Sequence, residues 1–243
     1  MSPGVPPALS VIVPAFNEQL LLGSSIQALH ASLAGFEIAS EVIIVNDGSR
    51  DHTGAVADEL AQRFGKVRVC HQPNQGIGGA FRTGAVLAAG EYIILWPVDM
   101  EAQPADLEPY ISNLGVADVI VGCRRRRLGY NPVMLLNSWI YPKLVAVLFG
   151  LRIRDVNWIH AYRKSLFREV QLTQRGIPML AEALVRLRDK GATFLEVDVV
   201  MRPRLGGIAS ASRLRVMWRT LTGLFSFWLA WRQEKRSPAP PAP

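Results

Sequence analysis

The chain has 243 residues, of which 49% are hydrophobic and 19% charged, and its formal net charge at pH 7 is +7. This content of apolar residues excludes a disordered chain and allows one large core, or a core with an appendage. Much of the positive surplus falls at residues 124–127 and 213–236, clusters that suit phosphates, acidic lipids or nucleic acid, or that are simply solvated surface charges.

The cysteines and the chain ends predict a protein of a reducing compartment without a membrane span. Cys70 and Cys123 adjoin apolar runs and are expected to be small buried residues. The N-terminus has no basic region followed by an apolar stretch, so no secretory signal is expected. The best candidate for a span, residues 220–231, is bounded by Arg219 and Arg232 and is shorter than the roughly 20 residues a crossing needs.

Strand-like and helix-like segments alternate through the first half of the chain. Short apolar runs predict strands at residues 9–13, 42–45, 67–71, 92–95 and 119–121. The segments between them predict helices at residues 18–33, with Asn17 as the cap, 51–64 and 79–89. This alternation predicts an α/β fold with right-handed βαβ units and a mostly parallel sheet flanked by helices.

The second half is less regular. An apolar helix is predicted at residues 132–149, with Pro132 in its first turn, and another at residues 179–190. A strand follows at residues 194–200, then a loop at 202–207 and a long helix at 214–231.

Polar residues follow three of the predicted strands directly. These strand ends read PAFNE (residues 14–18), NDGSRD (46–51) and WPVDME (96–101). Taken singly, they are also explained as a helix cap, a tight turn and a loop carboxylate. In an open parallel sheet, however, ligands bind at the carboxyl ends of the strands.

In this order and spacing, the segments resemble the nucleotide-sugar site of a family 2 glycosyltransferase, in the dolichol-phosphate mannosyltransferase-like branch. The matching strings are VIVPAFNE (11–18), VIIVNDGSRD (42–51), NQGIGGAFRTG (74–84) and GEYIILWPVDME (90–101), with support from LFGLRIRDV (148–156) and RPRLGG (202–207). The resemblance implies a GT-A type, Rossmann-like domain at residues 1–210. An amphipathic membrane-surface helix at 211–236 and a disordered tail at 237–243 would follow it.

The resemblance also implies a donor site at the first two strand ends. Pro14 and Phe16 would shape the wall of the base pocket, and Glu18 would accept hydrogen bonds from the nucleoside. Asp47 would accept from a base N–H or a ribose hydroxyl, with the main chain of Val45 beside it.

The third strand end is where relatives carry Asp-x-Asp and hold a divalent ion on the two phosphates. Here Pro97 replaces the first aspartate, Val98 and Asp99 follow, and Glu101 stands where many relatives have glutamine. We favour a working Mg²⁺ or Mn²⁺ site built on Asp99 and Glu101 over a weakened one, because Glu101 restores an oxygen ligand.

On the acceptor side, the resemblance places Arg124 near the phosphates and Ser138 near an acceptor phosphate. It places Arg204 in a loop that closes over the donor, and it makes Asp99 and Arg204 the catalytic residues. Each arginine, considered alone, is also explained as a surface charge. The chain departs from the family pattern at Asn46, Ile77, Met134 and residues 157–160.

The last predicted helix combines aromatic and basic residues in a pattern typical of a membrane interface. A helix that docks on the body of the protein, or on a second copy, is the alternative. The helix at residues 132–149 would contact lipid as well or join the core. The aromatic residues concerned are Trp218, Phe225, Phe227, Trp228 and Trp231.

The expected function is inverting transfer of a sugar from a nucleoside-diphosphate-sugar to a polyprenyl phosphate, by a peripheral protein at the cytoplasmic membrane face. One alternative is a hydroxyl acceptor, with Glu182 or Asp198 as base. Another is a non-catalytic nucleotide-sugar-binding relative, because of Pro97. Nucleic acid is not an expected partner, since the basic clusters lack the fold signature of a reader domain.

Overall fold

The computed structural model describes residues 7–127, 130, 132–174, 176–202 and 214–236. Within these residues a seven-stranded sheet has the order β3-β2-β1-β4-β6-β5-β7, in which β6 alone runs antiparallel to its neighbours. The predicted mostly parallel sheet is therefore confirmed. Its strands are β1 (Leu9–Ala15), β2 (Ser40–Asp47), β3 (Val67–Gln72), β4 (Tyr92–Leu95), β5 (Val119–Arg127), β6 (His160–Arg163) and β7 (Phe194–Met201).

Helices cover both faces of the sheet, and each face buries its own apolar cluster. A short 3-10 helix, Pro104–Leu107, precedes α4. The α-helices are α1 (Leu22–Gly35), α2 (Thr53–Arg63), α3 (Gly76–Leu87), α4 (Glu108–Ile111), α5 (Pro132–Phe149), α6 (Lys164–Arg168), α7 (Pro178–Asp189) and α8 (Leu214–Arg236).

The prediction that Asn17 caps the first helix is wrong. The helix begins at Leu22, and Asn17 lies in the left-handed region with φ 56°. Its side-chain oxygen accepts a hydrogen bond from the Arg50 N–H at 2.9 Å, and its own N–H donates to Ser49 Oγ at 3.0 Å. Asn17 therefore joins the loops after β1 and β2.

Two further expectations need correction. Cys70 is only partly buried, because β3 is an edge strand, whereas Cys123 is buried. Among the described helices, α5 is the one that is long and apolar enough to cross a membrane, so the choice of residues 220–231 as the best candidate is wrong.

The final helix α8 packs on the body along one face. Leu224 and Phe227 are buried, and the Phe227 ring stacks on Phe149 with centroids 4.9 Å apart. The indole N–H groups of Trp228 and Trp231 donate to the Leu148 carbonyl and to Asp189. Only part of the predicted interfacial aromatic set is thus exposed on this helix.

Candidate active site

The loops after β1 and β2 are joined by hydrogen bonds at the carboxyl edge of the sheet. The Glu18 N–H donates to Thr53 Oγ1 at 2.8 Å, and the His52 N–H donates to Gln19 Oε1 at 2.9 Å. Phe16 is exposed at this edge, while Pro14 and Glu18 are half-buried and Val45 is fully buried in β2. The predicted donor residues therefore share one edge of the sheet.

Asp47, the last residue of β2, anchors the segment that leads into α3. Its Oδ1 accepts from Gln72 Nε2 at 2.7 Å and from the Gln75 N–H at 2.8 Å, and only 3% of the residue is exposed. The next residue, Gly48, has φ 73°, and a Cβ there would lie 2.7 Å from the Asn74 backbone nitrogen. The turn after β2 therefore requires glycine.

The loop after β4 carries two acidic residues, Asp99 and Glu101. Trp96 and Val98 are buried, whereas Asp99 and Glu101 are half-exposed. Met100 between them has φ 61°, a strained conformation for a residue with a side chain. This turn lets the Glu101 N–H donate to Asp99 Oδ1 at 3.2 Å.

A cavity of about 180 Å³ lies beside this loop. Its wall combines Glu101 with Arg124 of β5 and Ser138 of α5, and Val216, Met217 and Thr220 of α8 close another side. Ser138 donates its hydroxyl to the Leu135 carbonyl at 2.7 Å. With Leu180 of α7 also in its wall, the cavity connects the carboxylate loop to β5 and to the helices α5, α7 and α8.

Arg124 is held in the cavity wall by three contacts. Its Nε and Nη2 donate to the two oxygens of Asp155, each at 2.7 Å, and its Nη1 donates to Tyr130 Oη at 2.6 Å. Trp158 lies with its ring centroid 4.9 Å from the guanidinium carbon. Burial alone would lower the pKa of Arg124, but the bond and charge of Asp155 outweigh it, and the net pKa is raised. Arg124 is thus a fixed cation.

Sequence reasoning did not identify the partners of this cation. In the sequence, Asp155 belongs to the supporting string LFGLRIRDV (148–156), and Trp158 belongs to residues 157–160, where the chain departs from the family pattern. A buried arginine requires a paired carboxylate, but no local pattern in the sequence shows that Arg124 is buried or which carboxylate it pairs with.

The two candidate bases lie in different environments. Glu182 is fully buried, and its carboxylate accepts bonds from Thr173, the Gln174 N–H and Arg186. Asp198 pairs with Arg154 at 2.9 Å. Glu182 therefore stabilises the loop before α7 and is enclosed away from an acceptor. Arg204 lies outside the described residues.

Within the described ranges, no group of three or more histidine, cysteine, aspartate or glutamate side chains is placed to hold a metal ion. Asp99 and Glu101 supply two carboxylates at one loop, and hard divalent cations take oxygen ligands. A Mg²⁺ or Mn²⁺ site on these two residues stays a prediction from the sequence.

Known proteins are similar to this chain in sequence. Residues 10–174 match the model of the family described as Glycosyl transferase family 2. A dodecaprenyl-phosphate galacturonate synthase of Rhizobium johnstonii is 29% identical over 169 residues, 68% of this chain, which spans only 50% of that relative. An undecaprenyl-phosphate mannosyltransferase of Micrococcus luteus is 26% identical over 242 residues, covering 89% of this chain and 94% of the relative.

Solved structures share the fold. A glucosyl-3-phosphoglycerate synthase of Mycobacterium tuberculosis, in complex with Mn²⁺, uridine diphosphate and phosphoglyceric acid, superimposes with a TM-score of 0.70 at 18% identity. The match covers 91% of this chain and 78% of that one. The likeness concerns architecture alone, and it confirms the predicted GT-A type fold.

Proposed function

Because the chain belongs to glycosyl transferase family 2, we propose that it transfers a sugar from a nucleoside-diphosphate-sugar to a polyprenyl phosphate, with inversion. One observation carries the proposal. Glu101 of the loop that resembles the donor motif and Ser138 of the acceptor-side helix line the same cavity as the fixed cation Arg124. The names of relatives that act on polyprenyl phosphates support the choice of acceptor.

The donor would bind at the edge formed by the loops after β1, β2 and β4. Phe16 offers an exposed ring beside Pro14, and Glu18 is an anion near the same edge. Asp47 would act on the nucleoside through the segment that it fixes, as well as by direct contact. Val45 and Val98, both buried, would shape the floor of this site.

Asp99 and Glu101 would hold Mg²⁺ or Mn²⁺, which neutralises charge on the departing diphosphate when it is bound. Arg124 stays protonated throughout the working range of pH, with Asp155 as its counter-charge. Arg204 stays a prediction for the same diphosphate, on the strength of its motif. Positioning and leaving-group stabilisation would together supply most of the rate.

A phosphate acceptor is ionised near neutral pH and therefore needs little help from a base. This agrees with the enclosed position of Glu182 and with the ion pair of Asp198. A hydroxyl acceptor is the second candidate, because Met134 lines the cavity where the resembled branch places an arginine. The protein would work at the cytoplasmic face of a membrane, held peripherally.

The test is transfer by the purified chain from a panel of UDP- and GDP-sugars, with Mn²⁺ or Mg²⁺, to undecaprenyl phosphate and to soluble glycan acceptors. Lipid-linked product supports the proposal, and soluble product favours the hydroxyl acceptor. Nucleotide-sugar binding without transfer to either would identify a non-catalytic relative.

A further inference from the structure

The outward side of α5 is apolar along its whole length. Six large hydrophobic side chains on it are between 43% and 81% exposed. Lys143 is the single charged residue among the eighteen of the helix. At 100° per residue the exposed positions form one continuous arc with Lys143 inside it. The six are Val133, Leu135, Leu136, Trp139, Ile140 and Val147.

The opposite side of α5 holds the helix against the body of the protein. Tyr141, Val145 and Phe149 are buried in the core, and Phe149 stacks on Phe227 of α8. A helix packed in this way lies along the protein surface. No described residue packs over its outward arc, which lies where a surface helix ordinarily carries polar residues.

A groove of about 580 Å³ adjoins this arc and has a basic rim. Its apolar lining includes Leu135, Trp139 and Ile153. Its charged lining consists of Lys143, Arg152, Arg154 and Glu196. Arg154 forms ion pairs with Glu196 and Asp198, so the positive surplus at the rim comes from Lys143 and Arg152. The Lys143 ammonium lies 3.3 Å from the centroid of the Trp139 ring, so a cation sits directly over an exposed aromatic residue.

We propose that the outward face of α5, with this groove, docks the enzyme on an anionic lipid bilayer. Tryptophan and lysine beside aliphatic side chains match the polar–apolar boundary of a bilayer, where the ring lies at headgroup level. The cationic surplus at the rim matches acidic headgroups. A protein partner would need complementary apolar area, but it would not need this surplus of positive charge.

The position of the groove relative to the cavity supports a bilayer over a second copy of the chain. Ser138 contributes to the lining of both. A phosphate carried on a lipid would reach the cavity from a membrane lying against α5, and this step of the argument rests on the proposed function. The outward face of α8 offers fewer such side chains. Trp218, Phe225 and Leu229 are its exposed large hydrophobic residues, whereas Phe227 is buried and the Trp228 and Trp231 indoles are hydrogen-bonded to the body.

The experiment is co-sedimentation of the full chain with vesicles of phosphatidylcholine alone, or mixed with an equal part of phosphatidylglycerol, without donor or acceptor. Wild type should bind the vesicles that contain phosphatidylglycerol more tightly than those of phosphatidylcholine alone. The double variant Leu136→Glu/Trp139→Glu should lose about tenfold or more of that affinity. Lys143→Glu should lose the preference for phosphatidylglycerol. The matched control is Val86→Glu on α3, which is 71% exposed and packs over β1 and β2, and it should bind like wild type.

Equal binding by wild type and the double variant would overturn the proposal, provided that circular dichroism shows both folded. So would a wild-type dimer in sedimentation equilibrium that the double variant converts to monomer without a change in vesicle binding. The vesicles contain no polyprenyl phosphate, so vesicle binding does not depend on the transfer reaction. If the wild-type protein showed no transfer in detergent, that result would count against the proposed function but not against docking on the bilayer.

Discussion

Arg124 and Asp155 form a bidentate ion pair, with Nε–Oδ2 and Nη2–Oδ1 distances of 2.7 Å and side-chain exposures of 4% and 2%. The Asp155 Oδ2 also accepts from the Arg124 backbone N–H at 3.2 Å. The pair joins β5 to the loop before β6, and so it fixes one wall of the cavity that Glu101 shares.

Asp155→Asn should destabilise the protein strongly, because it leaves the buried Arg124 cation without a counter-charge. Removal of one partner of a buried pair costs about 3–5 kcal/mol. Urea denaturation of wild type and variant measures the loss. In the double variant Arg124→Met/Asp155→Leu neither charge remains, so its stability should lie closer to wild type while transfer is lost. A single variant as stable as wild type would show that the pair does not support the wall.

The pair of carboxylates after β4 predicts a metal dependence that substitutions shift in opposite directions. Asp99→Asn should weaken Mn²⁺-dependent binding of UDP or GDP by about tenfold or more, because it removes an anionic ligand. Pro97→Asp should tighten it, because it supplies the aspartate that relatives carry. Titration calorimetry with and without Mn²⁺ measures both. The affinity for the nucleotide without Mn²⁺ should be nearly the same in wild type and both variants. If the substitutions changed this metal-free affinity, residues 97 and 99 would act on the nucleotide directly.

The sequence predicts the βαβ half of the fold well, because each buried strand there is a short apolar run with polar punctuation. β4 was predicted at its observed bounds, and β1, β2 and β3 within a few residues. β6 was missed. Its four residues, His160–Arg163, carry no alternation, and only their antiparallel pairing between β4 and β5 makes them a strand.

The residues of the candidate site also differ in how well the sequence predicts them. Asp99 and Glu101 are neighbours in the chain, so a motif could find them. The contacts of Arg124 with Asp155, Tyr130 and Trp158 bring distant strand and loop positions together, and no local pattern predicts them. The exposed arc of α5 was also beyond the sequence, since an apolar helix is equally compatible with a core position until its packing partners are known.

His160 predicts a pH dependence of stability. It is fully buried, and burial lowers its pKa from 6.5 to about 4. The unfolded chain therefore binds a proton between these values that the folded protein does not bind, and stability falls as the pH falls through this window. Over the whole window the free energy of unfolding should fall by about 3 kcal/mol, because a shift of one pKa unit corresponds to about 1.4 kcal/mol. Urea denaturation at several pH values between 7 and 4 measures it.

His160→Phe is the control for that series, because it keeps an aromatic ring and removes the titrating group. Between pH 6.5 and 5 the free energy of unfolding of this variant should fall less than that of wild type. The carboxylates with lowered pKa, such as Glu41 and Asp118, take up protons only at lower pH, so they add little to the loss of stability in this window. Parallel curves for the two proteins would assign the acid sensitivity to other groups.

Two phenylalanines two residues apart on α8 test whether this helix stays on the body in solution. Phe227 is buried against Phe149 and Arg186, whereas Phe225 is 46% exposed. Phe227→Ala should therefore cost about 3–5 kcal/mol, because it opens a cavity between α8, α7 and α5. Phe225→Ala should cost about 0.5 kcal/mol. Thermal and urea unfolding measure the loss of stability in each variant. The two variants have the same composition in α8, so a difference between them reports the position of the side chain. Small and equal losses would mean that α8 leaves the body, and that its aromatic residues are then available to a membrane, as the sequence pattern suggested.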